Sequence, residues 1–282
     1  MRWKPRGRSA DIEDRRGQGR PGGGMGRGLP LGIGGLLILG VLSLLTGQDF
    51  LSMVSDTGNG GGITQPSAPA EARPPEEERL ADFVSFVLDD TQDTWEQVLG
   101  GRYERARLVL FTDAVESACG FAESATGPFY CPGDRKVYID LGFYRELQQR
   151  FGAPGDFAQA YVLAHEIGHH VQALLGTEAE VRNAQRTNPG RANQLSVAME
   201  LQADCYAGIW GHSTSQRQLL EQGDLEEGLN AAAAIGDDRI QRMSGGRVAP
   251  ERFTHGSSAQ RVEWFRRGLQ SGRTDSCDTF AR

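Results

Sequence analysis

The sequence predicts an α+β domain, mostly helical with a small β component, preceded by one transmembrane helix. Three observations carry that reading. No residue is charged from Gly28 to Gln48, a run of 21, and a helix of that length spans the hydrocarbon core of a bilayer. Past residue 76, apolar residues recur at helical spacing in one long segment after another. Runs that alternate or cluster as strands do are few and short.

The chain opens with "MRWKPRGRSADIEDRRGQGRPGGGMGRG", residues 1–28, with eight Lys/Arg against three Asp/Glu in a protein of net charge −7. A basic, glycine-rich start predicts a disordered tail, and the overall charge argues against a nucleic-acid partner. Next comes "LPLGIGGLLILGVLSLLT", residues 29–46. Its glycines and proline are common in membrane helices, and no A-x-A cleavage pattern follows it. The segment therefore reads as an uncleaved anchor. Basic residues before it predict a cytoplasmic N-terminus, with the remainder exported from a single-pass protein of the bacterial inner membrane. Residues 47–75, rich in Gly, Ser, Pro and Asn, read as a flexible linker. The domain occupies 76–282.

Four cysteines lie in that domain. An even number in an exported domain suggests two disulfides. Of the three pairings, Cys119–Cys131 with Cys205–Cys277 is preferred, because the first closes a short Gly/Pro-rich loop. The absence of C-x-x-C spacing argues against a zinc cluster.

Within the domain, Leu80, Phe83, Val84, Val87 and Leu88 mark an amphipathic helix, with glutamates at its start where the helix dipole favours them. Residues 105–111 and 137–140 read as strands, and a helix follows from about Phe143. Asp156 is a candidate N-cap for a helix over 157–175 that Gly176 stops. "TEAEVRNAQRTNPGRANQ" bridges to a helix over 195–210. A third starts at Asp224 and a last covers 257–270.

Three of the chain's five histidines fall between residues 165 and 170. On a helix, residues four apart share a face, so His165 and His169 point the same way and can grip one zinc ion. Glu166 between them reaches the attacking water in this H-E-x-x-H arrangement of metallopeptidases. His170 is rotated off that face by about 100° and reads as structural. A catalytic zinc needs a third protein ligand. Glu200 in "MELQADCYAG" is the candidate, and Asp204, one turn on, is placed to accept the other ring N–H of a ligand histidine.

With these residues in view, "AYVLAHEIGHHVQALLG", "MELQADCYAGIW" and "THGSSAQRVEWFRRG" resemble the bacterial neutral zinc metallopeptidases. The likeness runs from the membrane segment almost to the C-terminus and includes "ACG…GPFYCPGD…VYID". It implies a zincin-like domain with one Zn²⁺ per chain that hydrolyses peptide bonds. A more distant likeness is to gluzincins, whose membrane-bound members share E-x-x-A-D and a later T-H-P-x-x-x-x-R. Here these read Glu200…Ala203-Asp204 and Thr254-His255…Arg261, with Gly256 in place of proline. That resemblance puts His255 and Arg261 near the zinc.

The expected activity is that of a membrane-anchored zinc endopeptidase with Glu166 as general base. His255 is the first choice and Tyr206 the second for stabilising the oxyanion. The strand at Val137–Asp140 is a candidate for pairing with an extended peptide or protein substrate. The alternative is a catalytically quiet zinc-bound module that binds peptides or envelope partners. A metal-free scaffold with packed histidines is a third reading. Ligand histidines must be neutral, so zinc should leave below about pH 6. Substrate identity and oligomeric state are not written in the sequence.

Overall fold

The computed structural model describes residues 1–17 and 73–281. The expected transmembrane segment and all but the end of the linker lie outside the described residues. Among the described residues, no helix is long and apolar enough to cross a membrane.

The described chain is mostly helical. The first strand, β1, is Ile12–Asp14, and the first helix, α1, is Pro75–Leu99. Then follow β2 (Arg107–Phe111), β3 (Ala114–Ser117), β4 (Gly120–Glu123), β5 (Phe129–Cys131) and β6 (Lys136–Asp140). Seven helices complete the order: α2 (Gly142–Gln149), α3 (Asp156–Leu175), α4 (Thr177–Thr187), α5 (Ala192–Gln216), α6 (Asp224–Ala234), α7 (Asp237–Met243) and α8 (Ser258–Ser271).

Helix α3 is the centre of the core. Phe157, Tyr161, Leu163, Ala164, Ile167 and Val171 are all buried, and together they point to several sides. A helix apolar all round must be surrounded, and α3 packs against α1, α5 and α6. Its expected N-cap is corrected: Gly155 holds that place, and Asp156 is already the first helical residue. The bridge after α3 is itself helical as α4, and the expected helix from Asp224 is broken into α6 and α7 at Gly236. The start of α8 carries the full reciprocal cap, with Ser257 accepting from the Gln260 backbone N–H and Gln260 answering Ser257.

One sheet has the order β1-β2-β6-β5, with β1/β2 and β2/β6 parallel and β5/β6 antiparallel. Strand β6, the expected partner of an extended peptide, is therefore interior, with a neighbour on each side. The edge belongs to β5. A hairpin of β3 and β4 lies beside it, stapled to β5 by Cys119–Cys131. The second disulfide joins Cys205 to Cys277, so both pairs are the preferred ones.

The expectation of a disordered N-terminal tail is corrected for residues 1–17. Ile12 to Asp14 pair with Leu108 to Leu110 as an edge strand. The Trp3 ring packs 5.2 Å from that of Phe83. Arg16 is buried, with Asp14 at 2.6 Å and Glu77 and Glu78 each at 2.9 Å. The glutamates at the start of α1 thus answer arginines as well as the helix dipole. Composition suggested disorder because the acids that neutralise this segment lie about sixty residues further on.

Residues 1–18 and 73–282 form one unit.

Candidate metal centre and cleft

Two close helix crossings build the site. At the first, α3 meets α5 at Gly168, where an added Cβ would lie 2.9 Å from the Ala203 carbonyl oxygen. Only glycine allows that approach, and it sets Glu200 and Asp204 against the histidine face. At the second, Gly208 of α5 meets Gly268 of α8, where a Cβ on Gly268 would overlap the Cys205 carbonyl oxygen at 1.9 Å. This contact carries Arg261 beneath the same histidines.

The three expected ligands come together. His165 Nε2 lies 3.2 Å from Glu200 Oε2, and His169 Nε2 lies 3.5 Å from Glu200 Oε1. Ligand atoms about 2.1 Å from a tetrahedral zinc ion stand about 3.4 Å apart, so the donor set fits zinc in both chemistry and spacing. His165, His169 and Glu200 form one of two candidate metal-binding groups among the described residues.

Beneath the ligands sits a buried ionic network. Asp204 is 0% exposed and Arg261 1%. The Arg261 Nε and Nη2 groups each donate to Asp204 at 2.9 Å. Tyr161 donates its hydroxyl to the same carboxylate. His165 Nδ1 stands 2.9 Å from Asp204 Oδ1. A carboxylate only accepts, so Nδ1 carries the proton and Nε2 is turned toward Glu200. Burial works against a charged His165, but Asp204 and Glu200 outweigh it and raise its pKa to about 9. For Asp204, burial favours the neutral acid, yet Arg261 and His165 hold its carboxyl below the usual range.

His169 is held differently, by an amide. Its Nδ1 lies 2.9 Å from Gln172 Oε1, while Gln172 Nε2 donates to the Met199 carbonyl at 2.8 Å and to Gln202 at 3.0 Å. Sequence reasoning missed Gln172, although its position three residues after His169 on the same helix face was a usable signal. His170 is structural, between the Tyr130 hydroxyl at 3.1 Å and the Glu104 carbonyl at 2.6 Å.

His255 reaches the same cleft with a partner the sequence did not disclose. Asp237 Oδ2 accepts the backbone N–H groups of Thr254, His255 and Gly256 at 2.7, 2.6 and 3.0 Å. Its Oδ1 lies 3.2 Å from His255 Nδ1. That hydrogen bond raises the His255 pKa. Gly256 has φ +88° and donates its N–H, neither of which proline could do. The exchange of proline for glycine therefore suits the turn that presents His255. Tyr206 is placed otherwise than expected: it packs in the core, 5.2 Å from the Trp95 ring, away from the residues that line the cleft.

The cleft above the three ligands has a volume of about 570 Å³. Glu166, His255 and Arg261 line it together with His165, His169 and Glu200. Phe129 and Tyr130 of the edge strand β5 form one wall, and Ile235 and Ile240 another.

Comparison with known proteins agrees with this geometry. The family model described as "Putative neutral zinc metallopeptidase" matches residues 1–280, including the N-terminal segment. YpfJ of Escherichia coli (strain K12) is 48% identical over 290 residues, covering 100% of this chain and 99% of its own. Rv2575 of Mycobacterium tuberculosis (strain ATCC 25618 / H37Rv) is 46% identical over 198 residues, 66% of each chain. No solved structure matches. With the family model spanning nearly every residue, and two imidazoles and a carboxylate set at zinc spacing, the chain belongs to the neutral zinc metallopeptidase family.

Proposed function

We propose that this protein hydrolyses peptide bonds in a zinc-dependent reaction at the α3–α5 crossing. The observation that carries the reading is the convergence of His165, His169 and Glu200 with Glu166 on one cleft wall. His165, His169 and Glu200 would hold the ion. When bound, zinc supplies Lewis acidity toward the scissile carbonyl and the attacking water. Glu166 takes a proton from that water and passes it to the leaving amine. His255, held through Nδ1–H by Asp237, donates from Nε2–H in its imidazolium form to the carbonyl oxygen as negative charge develops there. Asp204 and Arg261 position His165, and Gln172 positions His169. An extended substrate pairs with the edge of β5 in place of the interior β6.

A single membrane anchor at residues 29–46, with the domain exported, remains part of the proposal. The two disulfides favour the exported side.

The test uses the purified full-length chain. One zinc per chain is expected, lost in His165→Ala. Cleavage of an unfolded protein substrate is expected, abolished in Glu166→Gln with zinc retained. Zinc-loaded protein that cleaves nothing would favour the quiet binding module. Equal metal content in wild type and His165→Ala would point to packed histidines in a scaffold.

A further inference from the structure

His170 has no part in the proposed reaction, yet it joins the metal-binding helix to the strand that borders the cleft. It is 1% exposed. On α3 it lies one residue past His169, so its ring leaves the helix about 100° from the ligand face. The Glu104 carbonyl, 2.6 Å from Nε2, can only accept a hydrogen bond, so Nε2 carries the hydrogen. Nδ1 of the neutral ring is then the acceptor, and the Tyr130 hydroxyl donates to it at 3.1 Å. The ring also meets Tyr103 and Tyr130 edge to face, with centroids 5.7 and 5.4 Å apart. Both nitrogens are in use, and the ring cannot turn without losing a bond.

Tyr130 is the middle of the three residues of β5. Successive side chains of a strand point to opposite faces. Phe129 stacks on Tyr138 at 4.8 Å, and Cys131 is buried with Tyr138 in a second, smaller core. Tyr130 goes the other way, against the main core. Among the described residues, the Tyr130–His170 contact is the one side-chain hydrogen bond between β5 and α3. A strand of three residues has few ladder bonds of its own, so this bond sets how far β5 stands from the metal ligands. Among the described residues β5 pairs only with β6, and it lines the cleft.

We propose that His170 is a positioning residue for the substrate. Through Tyr130 it fixes the height of β5 over His165, His169 and Glu200, so that an extended peptide added to that edge lies within reach of them. The inference rests on the proposed pairing of substrate with β5. The adjacent histidines divide the work: the ring of His169 serves the metal, and the ring of His170 serves the strand.

The probe is fluorescein-labelled casein, an unfolded protein. Its anisotropy is read with the zinc-loaded, full-length Glu166→Gln chain, so binding is measured apart from cleavage. Adding Tyr130→Phe, which removes one oxygen, should weaken casein binding by about tenfold, the scale of one hydrogen bond. His170→Phe should weaken it equally. The two together should do no more than either alone, because both break the same bond. Zinc content and circular dichroism should be unchanged. With Glu166 intact, Tyr130→Phe should raise KM for casein by about tenfold, with the loss appearing in KM and not in kcat. A bond that only stabilised the fold would lower the melting temperature and leave casein affinity and KM where they were, and that result overturns the proposal. So does casein that binds none of the chains. Casein bound as expected but never cleaved by the chain with Glu166 intact sinks the reaction and supports the proposal. Casein cleaved with the same KM before and after Tyr130→Phe does the reverse.

Discussion

The helix crossing that holds the histidines and the seam that holds residues 1–17 are both joined by ion pairs between residues distant in sequence, yet they are built on different terms. At the crossing, Asp204 and Arg261 are shut off from water and backbones touch at Gly168, Gly208 and Gly268. At the seam, Arg16 is buried, but its partners Glu77 and Glu78 are 35% and 40% exposed. A charge with no access to water cannot lose its partner cheaply. A charge whose partner reaches solvent can be rehydrated. The crossing is therefore rigid where chemistry needs fixed distances, and the seam tolerates change.

Substitutions can break or sharpen that contrast, the largest effect first. Glu166→Gln removes the proposed base without disturbing either region. Peptide cleavage should fall by about 10²- to 10⁴-fold with zinc content and melting temperature unchanged. Asp204→Ala strands Arg261 and should destabilise the fold by about 3–5 kcal/mol, read by urea denaturation. At the seam, Glu78→Ala should cost no more than about 1 kcal/mol. Equal losses at the two positions would erase the distinction. Gly168→Val forces α3 from α5 and should cost about 1–3 kcal/mol, with loss of metal as Glu200 moves away. Gln172→Ala leaves the fold intact and should weaken zinc binding by about 10- to 100-fold, measured by competition with a chelating dye.

The smallest effect is a pH dependence at the seam. Burial opposes the charge on Met1, but Asp156 and Asp224 outweigh it, and its pKa is raised above the ordinary 8.0. A raised value means that the amine's stabilisation is complete below pH 8 and is lost as pH rises through the folded value. The groups that face it are Asp156, Glu221 and Asp224, with Glu227 beside them. On the acid side Glu227 titrates too, its pKa raised by burial and by Asp156 and Asp224. Stability between pH 7 and 10 should therefore fall more for a chain with a free amine at Met1 than for one extended before it. Parallel curves would show that the amine contributes nothing.

The two regions also differ in how far they can be read from sequence. His165 and His169 are four residues apart, so periodicity alone put them on one face, with Glu166 at the neighbouring angle. Asp237 was not legible, because it meets His255 across a turn and a helix break at Gly236, and nothing in "IGDDRIQ" distinguishes it from an ordinary helix start. The N-terminal segment misled for a further reason. Its arginines look solvated until the acids of α1 are brought to them, and composition cannot see a partner supplied by tertiary contact. The edge strand β5 has three residues, too short for any pattern, and only sheet order shows that it, and not β6, borders the cleft.

The sequence by itself determined the helical class, the shared face of His165 and His169 with Glu166 between them, and the cysteine pairing, because each follows from spacing along one element or from a short loop. Tertiary structure alone decided which imidazole Asp204 supports, that Gln172 steadies the other, that Asp237 holds His255, and that the first seventeen residues belong to the domain. Those relations depend on how closely two backbones approach and in what register, and that is set by glycine contacts and buried charge pairs between segments far apart in the chain.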